Sequence, residues 1–432
     1  MHPNLSFEQA PPLAVPLRFF LTAPWFGVAA GLLLVIAGDD AFASRFSPSI
    51  LAVTHLLTTG FMLQAMCGAL LQFIPVATGA NVIHLEWLTK FIQPMLTFAS
   101  LVLAAGFLRM QPMLFTVASV LFLLAGLGFV AIVSLALWQT PGSGMTLLAL
   151  RGAVIALGVT LLLGAALAMT LAFGVEVPLL AMIEVHLAWG LAGWALLLLA
   201  AVSWIVVPMF QLTPAYPPAF SRGFLWLLPG AVLLLSVAAL VNSERLLDTS
   251  RLILLLIGAS HAVLTLNLQR RRRRKLPDVT LNFFRLAMTS LLAFALLGAA
   301  ALAFPALADL PRYAIGLGVL ALVGVFASAI CGMLYKIVPF LGWLHLQRLG
   351  APLSAVPNMK GMLAEIAKQR QLALHGLALL LLLVAVIWPG WLRAAGLTLM
   401  LSMAALGANL YTAAHRYVRF RDRIRATGSD QE

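Results

Sequence analysis

The sequence predicts an all-α protein that crosses a membrane twelve times, and three observations lead there. Hydrophobic residues make up 62% of the chain and charged residues only 9%, with a mean hydropathy of +1.02. No water-soluble globular class has that balance. Apolar runs near the length of about 20 residues that a helix needs to cross a bilayer lie at 17–38, 49–77, 88–108, 111–136, 146–174, 179–208, 223–241, 252–269, 284–305, 313–340, 371–388 and 393–414. The third observation is a glycine–proline spacing that recurs three times. The spans consume nearly the whole chain, so the prediction is one membrane domain over 1–432 and no soluble catalytic domain.

The first span, 17–38, follows "MHPNLSFEQAPPLAVPLRFF", which lacks a basic leader region and a small-residue cleavage site, so it reads as a retained span and not a signal peptide. Orientation comes from charge. With both termini in the cytoplasm, the inside carries Arg18, Lys90, Arg151, Arg222, the run Arg270 to Lys275, Arg285, Arg348, Lys360, Lys368, Arg370 and five arginines from Arg416 to Arg425. The outside carries only Arg45, Arg109, Arg245, Arg251, Arg312 and Arg393. This is the positive-inside asymmetry, and it predicts a multi-pass inner-membrane protein. The net charge of +13 is therefore a topology signal, and no nucleic-acid site is read from it. The run "RRRRRK" at 270–275 is a topology anchor or a site for anionic lipid headgroups. Both cysteines lie inside spans, which excludes a disulfide framework.

Spans 2, 6 and 10 contain "GFMLQAMCGALLQFIPV", "GWALLLLAAVSWIVVPM" and "GVFASAICGMLYKIVPF". Each places a glycine fifteen residues before a proline: Gly60 and Pro75, Gly193 and Pro208, Gly324 and Pro339. Cys67-Gly68 recurs as Cys331-Gly332 at the same offset. Shared spacing across three segments predicts an internal repeat of four-helix units, approximately 16–140, 146–270 and 284–415, about a pseudo-threefold axis with spans 2, 6 and 10 innermost. The glycines should admit close helix contact, and the prolines should end the helices.

A twelve-span bundle of three such units resembles subunit I of the heme-copper oxidases and nitric oxide reductases. Spans 1 and 2 also look like the NnrS family of nitric oxide metabolism, through "PLRFFLTAPWFGVAAGLLL" and then His55, Gly60-Phe61, Gly68, Pro75 and Thr78-Gly79. The resemblance implies that His55 stands where a low-spin heme ligand stands and His186 where a copper ligand stands. It also departs from the pattern. Span 7 has no histidine, span 10 has none before His345, and Gly190 stands where several oxidase branches have tyrosine. The resemblance thus implies an oxidase-like architecture without the full catalytic ligand set, and the departures argue against an intact oxygen or nitric oxide reductase.

Read from the residues, His55 and His186 sit at similar depth on related helices. Imidazole is a common ligand for iron and copper, and an ionisable group inside a span is a functional candidate; the competing role is a hydrogen bond to a neighbouring helix. His261 in span 8 is a candidate third metal ligand or a polar helix contact. Glu184 is a candidate for proton or ion handling, or an interfacial residue at the start of span 6; two residues from His186, it lies on another face. Cys67 and Cys331 offer soft sulfur but also fit close packing. Lys336 should snorkel, and His84, His345, His375 and His415 should lie at the cytoplasmic interface. Trp189, Trp194 and Trp204 fit either porphyrin stacking or the interfacial aromatic belt. The link 211–224 should be a stiff, proline-rich connection, and 348–371 should hold a short amphipathic surface helix.

Two functions follow. One is a heme- or copper-binding membrane protein of respiratory or nitric oxide metabolism, with membrane lipid and respiratory-complex subunits as partners. The alternative is a secondary transporter of a small solute or ion, built on repeats and a midplane site of Glu184, His186 and His261.

Overall fold

The computed structural model describes residues 11–140, 144–273, 276, 278–349 and 359–429. Within them the chain is helical, with no β-strand, and twelve helical segments are long and apolar enough to cross a membrane. These spans are Ala14–Ala43, Pro48–Thr78, Leu85–Arg109, Pro112–Gln139, Met145–Phe173, Leu179–Gln211, Pro218–Leu240, Glu244–Arg270, Val279–Ala303, Tyr313–Gln347, Glu365–Ile387 and Pro389–Ile424. Every expected span is present. The differences lie at the ends, where polar residues extend a helix that hydropathy alone cuts short. Span 8 begins at Glu244 instead of 252, and span 12 continues well past 414. Residues 218–224 are already helical, so the connection between spans 6 and 7 is shorter than expected. Of the segment 348–371, a short helix Met359–Met362 and the start of span 11 are described, while 350–358 lie outside the described residues, as do Arg274 and Lys275 of the basic run.

Spans 2, 6 and 10 form the interior. Their apolar cores are 83%, 67% and 78% buried, against 33–56% for the other nine. Each inner span packs against the span before it and the span after it: 2 against 1 and 3, 6 against 5 and 7, 10 against 9 and 11. The outer spans make their strongest contacts with one another in the orders 3-4-5, 7-8-9 and 11-12-1. The contact of span 1 with span 12 is the most extensive in the molecule. There Gly31 and Gly396 meet backbone to backbone: a Cβ on Gly31 would lie 2.7 Å from the Gly396 carbonyl oxygen, and one on Gly396 would lie 2.8 Å from that of Gly31.

The repeat glycines face the preceding span in each case. A Cβ at Gly60 would lie 2.4 Å from the Phe26 ring, at Gly193 3.0 Å from Ala156 Cβ, and at Gly324 2.7 Å from Ser290 Cβ. Side-chain volume is therefore crowded out at Gly60 and Gly324 and tightly limited at Gly193. At each glycine the helix also widens into an i→i+5 stretch: Leu56–Met62, Ala188–Leu196 and Leu320–Ala327. Such widened turns inside α-helices concentrate at functional positions. Two of the three prolines stand where expected, at a helix end, and the third does not. Pro75 and Pro208 lie within the last turn, and span 10 continues eight residues beyond Pro339 to Gln347. A proline removes one hydrogen bond to the carbonyl four residues back, which weakens a helix at that point without ending it.

Candidate functional site

His55 closes the first α-helical part of span 2, immediately before the widened turn at Leu56. Its Nδ1 lies 2.8 Å from the Leu51 carbonyl oxygen. A carbonyl only accepts, so Nδ1 carries the proton and Nε2 keeps its lone pair. The ring stacks on Phe107 of span 3, with centroids 4.7 Å apart and 29° between planes. Phe107 is held edge-on by Phe115 of span 4. Thr59 donates to the His55 carbonyl at 2.7 Å, occupying a backbone acceptor at the start of the widened turn.

His186 stands two residues before the widened turn of span 6. Its ring lies over Gly164 of span 5, where a Cβ would be 3.0 Å from Cε1. Its Nδ1 is buried without a hydrogen-bond partner among the described residues. The two imidazoles, both half-buried, are close enough to act on one another electrostatically. The two histidines that lie at matched depth in the sequence thus each stand at the mouth of a widened turn.

The other candidates are placed elsewhere. Glu184 receives a two-pronged contact from Arg251 of span 8, Nε to Oε1 at 2.6 Å and Nη2 to Oε2 at 2.9 Å, while Arg251 Nη1 reaches Asp248 at 2.7 Å. This carboxylate ties the start of span 6 to the first turns of span 8. His261 is fully buried in an aromatic enclosure, stacked on Tyr216 at 5.9 Å and near Phe224 at 5.4 Å. Neither of its nitrogens has a partner among the described residues. Among the described residues no group of three or more His, Cys, Asp or Glu side chains is arranged to hold a metal ion, so His261 does not complete a triad with His55 and His186.

Several expectations change. His375 is not at an interface: it is fully buried in span 11, with Nε2 2.9 Å from Ser328 Oγ of span 10. Four residues earlier, Gln371 donates to Ser402 at 3.1 Å. A parallel clasp joins spans 2 and 3, where Gln64 donates to Thr97 at 3.1 Å. Gln64 and Ser328 stand four residues after their repeat glycines, and sequence reading passed over both because one polar residue in an apolar run shows no periodicity. Lys336 does not snorkel freely but pairs with Asp278 at 3.0 Å. Trp194 and Trp204 are buried inside the bundle, and Trp189 donates to Ser236 at 3.0 Å, so none of the three behaves as a free interfacial anchor. Comparison with known proteins finds no family model that matches the chain and no characterised protein similar to it.

Proposed function

We propose that this multi-pass membrane protein holds a transition-metal centre, heme iron or copper, between His55 of span 2 and His186 of span 6. The observation that carries the reading is the state of His55. Its Nδ1–H is committed to Leu51, which fixes the tautomer that presents Nε2 as a ligand, and a ligating histidine is commonly anchored in this way by a backbone carbonyl. His186 lies within electrostatic range, with an unsatisfied Nδ1 and with Gly164 leaving room for its ring. Phe107 limits rotation of the His55 ring. A metal bound there would supply electron-transfer or small-molecule ligation chemistry; the chain itself orients the His55 ring through Leu51 and Phe107 and leaves room for the His186 ring over Gly164.

The wider reading is a protein of oxidase-subunit-I-like architecture that serves respiratory or nitric oxide metabolism without the full ligand set of a reductase. Three widened turns at equivalent glycines, and burial concentrated in spans 2, 6 and 10, support a threefold arrangement of four-helix units. The distribution of lysine and arginine supports an inner-membrane placement with both termini cytoplasmic. Secondary transport draws less support, because Glu184 is engaged by Arg251.

The test is a visible spectrum of the detergent-purified protein, oxidised and dithionite-reduced, with iron and copper quantified on the same sample. Near-unit metal in the wild type is expected, with most of it lost in His55→Ala and in His186→Ala while gel-filtration behaviour is unchanged. A His55→Ala protein that retains wild-type metal sinks the assignment.

A further inference from the structure

We infer that spans 10, 11 and 12 bind one water molecule between Gln371 and His375, just past the widened turn of span 10. Five polar side chains converge there: Ser328 and Cys331 of span 10, Gln371 and His375 of span 11, and Ser402 of span 12. All five are fully buried. Spans 10 and 11 run antiparallel, so Ser328 meets His375, while Cys331, three residues further along, meets Gln371, four residues back. One turn apart, Gln371 and His375 share a face of span 11.

The hydrogen bonds show which atoms still need a partner. Ser328 donates its only hydroxyl proton to the Val323 carbonyl oxygen at 3.2 Å. Its contact with His375 Nε2 at 2.9 Å is then a donation from the ring, which leaves Nδ1 with a bare lone pair. That Nδ1 has no partner among the described residues. Gln371 donates through Nε2 to Ser402 Oγ at 3.1 Å and lies 3.9 Å from Cys331 Sγ, while its Oε1 has no partner among the described residues. Two acceptors therefore stand one turn apart without a donor, in a bundle whose surroundings are hydrocarbon and cannot supply one.

The chemistry of the cluster selects the occupant. It must donate twice, to Oε1 and to Nδ1, and water does this from a single atom. Ser402 and Cys331, both in contact with Gln371, carry a hydroxyl and a thiol able to donate to the water oxygen, and a buried water makes about three such bonds. A cation would also suit two lone pairs, but it would lack a counter-charge. The acidic residues of spans 10 to 12 are Glu365 and Asp422, each near a helix end and each paired, with Lys368 and Arg421. An unpaired charge in that interior is costly, whereas water brings none. The water completes a chain from Ser328 through His375 and Gln371 to Ser402 that ties three spans together. The site is separate from His55 and His186 and does not rest on the reading given to them.

The test is solid-state NMR of the full-length protein in lipid bilayers, with isotope-labelled histidine and magnetisation transferred from water protons to the ring nitrogens. His375 is expected in the Nε2–H tautomer, with an unprotonated Nδ1 that receives magnetisation from rigidly held water; His375→Phe identifies the signal by removing it. Gln371→Met, similar in shape but without the second acceptor, should cut that transfer severalfold while the Nε2–H signal keeps its position. Gln64→Met, in the clasp of spans 2 and 3, should leave it unchanged. An Nδ1 that receives nothing in the wild type overturns the inference, and so does a protonated Nδ1; both are read without any variant. Transfer at full strength in Gln371→Met also overturns it, because the water is then not held between these two side chains.

Discussion

An imidazole is defined by what its two nitrogens do, and the histidines of this chain divide on that basis. His55 has one nitrogen fixed by a carbonyl and one left over, His375 has Nε2 bound to Ser328, and His261 has neither nitrogen satisfied among the described residues. Sequence alone offered three in-span histidines, His55, His186 and His261, in contexts that looked alike in hydropathy. It could rank His55 and His186 by matched depth, but not see the Leu51 contact, which depends on a side-chain rotamer. The same holds for Asp278, whose acceptance from Thr280 N at 2.9 Å caps span 9 while its other oxygen meets Lys336. Burial alone would raise this carboxyl, but the Lys336 charge and hydrogen bond, with the Thr280 contacts, hold it below its ordinary value. A depressed folded value means the stabilisation is complete above the unfolded carboxylate range, about 3.9, and is lost as pH falls through the lower folded value. Asp278→Asn keeps a good cap and loses the ion pair, whereas Asp278→Ala loses both. The alanine variant should therefore be less stable than the asparagine variant by about 1 kcal/mol, read by thermal unfolding in detergent; equal stabilities would mean the cap contributes nothing.

Among the elements, the inner helices show where pattern reading succeeds and where it stops. A glycine fifteen residues before a proline was visible in spans 2, 6 and 10, and it marked the three most buried spans correctly. The widened turns at those glycines were not visible, because a shift in hydrogen-bond register leaves no hydropathy signature. Gly60→Ala would place a methyl 2.4 Å from Phe26, and overpacking of this kind costs about 1–3 kcal/mol. Gly230→Ala, in span 7 with nothing within 4 Å of the new Cβ, should be neutral or slightly stabilising through helix propensity. The contrast is measured by the loss of monodisperse protein on heating. Glu184→Gln should lower stability by about 1 kcal/mol, the upper range for a partly exposed pair, and leave bound metal unchanged. A fall in metal content would instead tie the Glu184–Arg251 pair to the histidine site.

For the whole molecule, composition and run length were enough to count the spans, since each must carry its own apolar signal. Partnerships between spans were not legible, because every outer helix presents similar leucine- and alanine-rich faces. The pairing of span 1 with span 12 is the clearest instance: it rests on Gly31 and Gly396, two glycines among the 33 in the chain. Removing residues 389–432 should leave span 1 without its largest contact, so the truncated protein should fail to accumulate in membranes. Co-expression of 389–432 as a separate fragment should restore it, as judged by immunoblot of the membrane fraction; stable accumulation of the truncated form alone would contradict the importance given to that contact.

That pairing also sets a timetable for biogenesis. Of the twelve spans, span 1 leaves the ribosome first, and the surface it needs belongs to the twelfth. At about 5–20 residues per second, the roughly 350 residues between them take on the order of 20–70 s to synthesise. Throughout that interval the face carrying Gly31 is open to lipid or to whatever insertion factor holds it. The twelve-helix bundle closes only when span 12 arrives, so its closure waits on the synthesis of all the other spans.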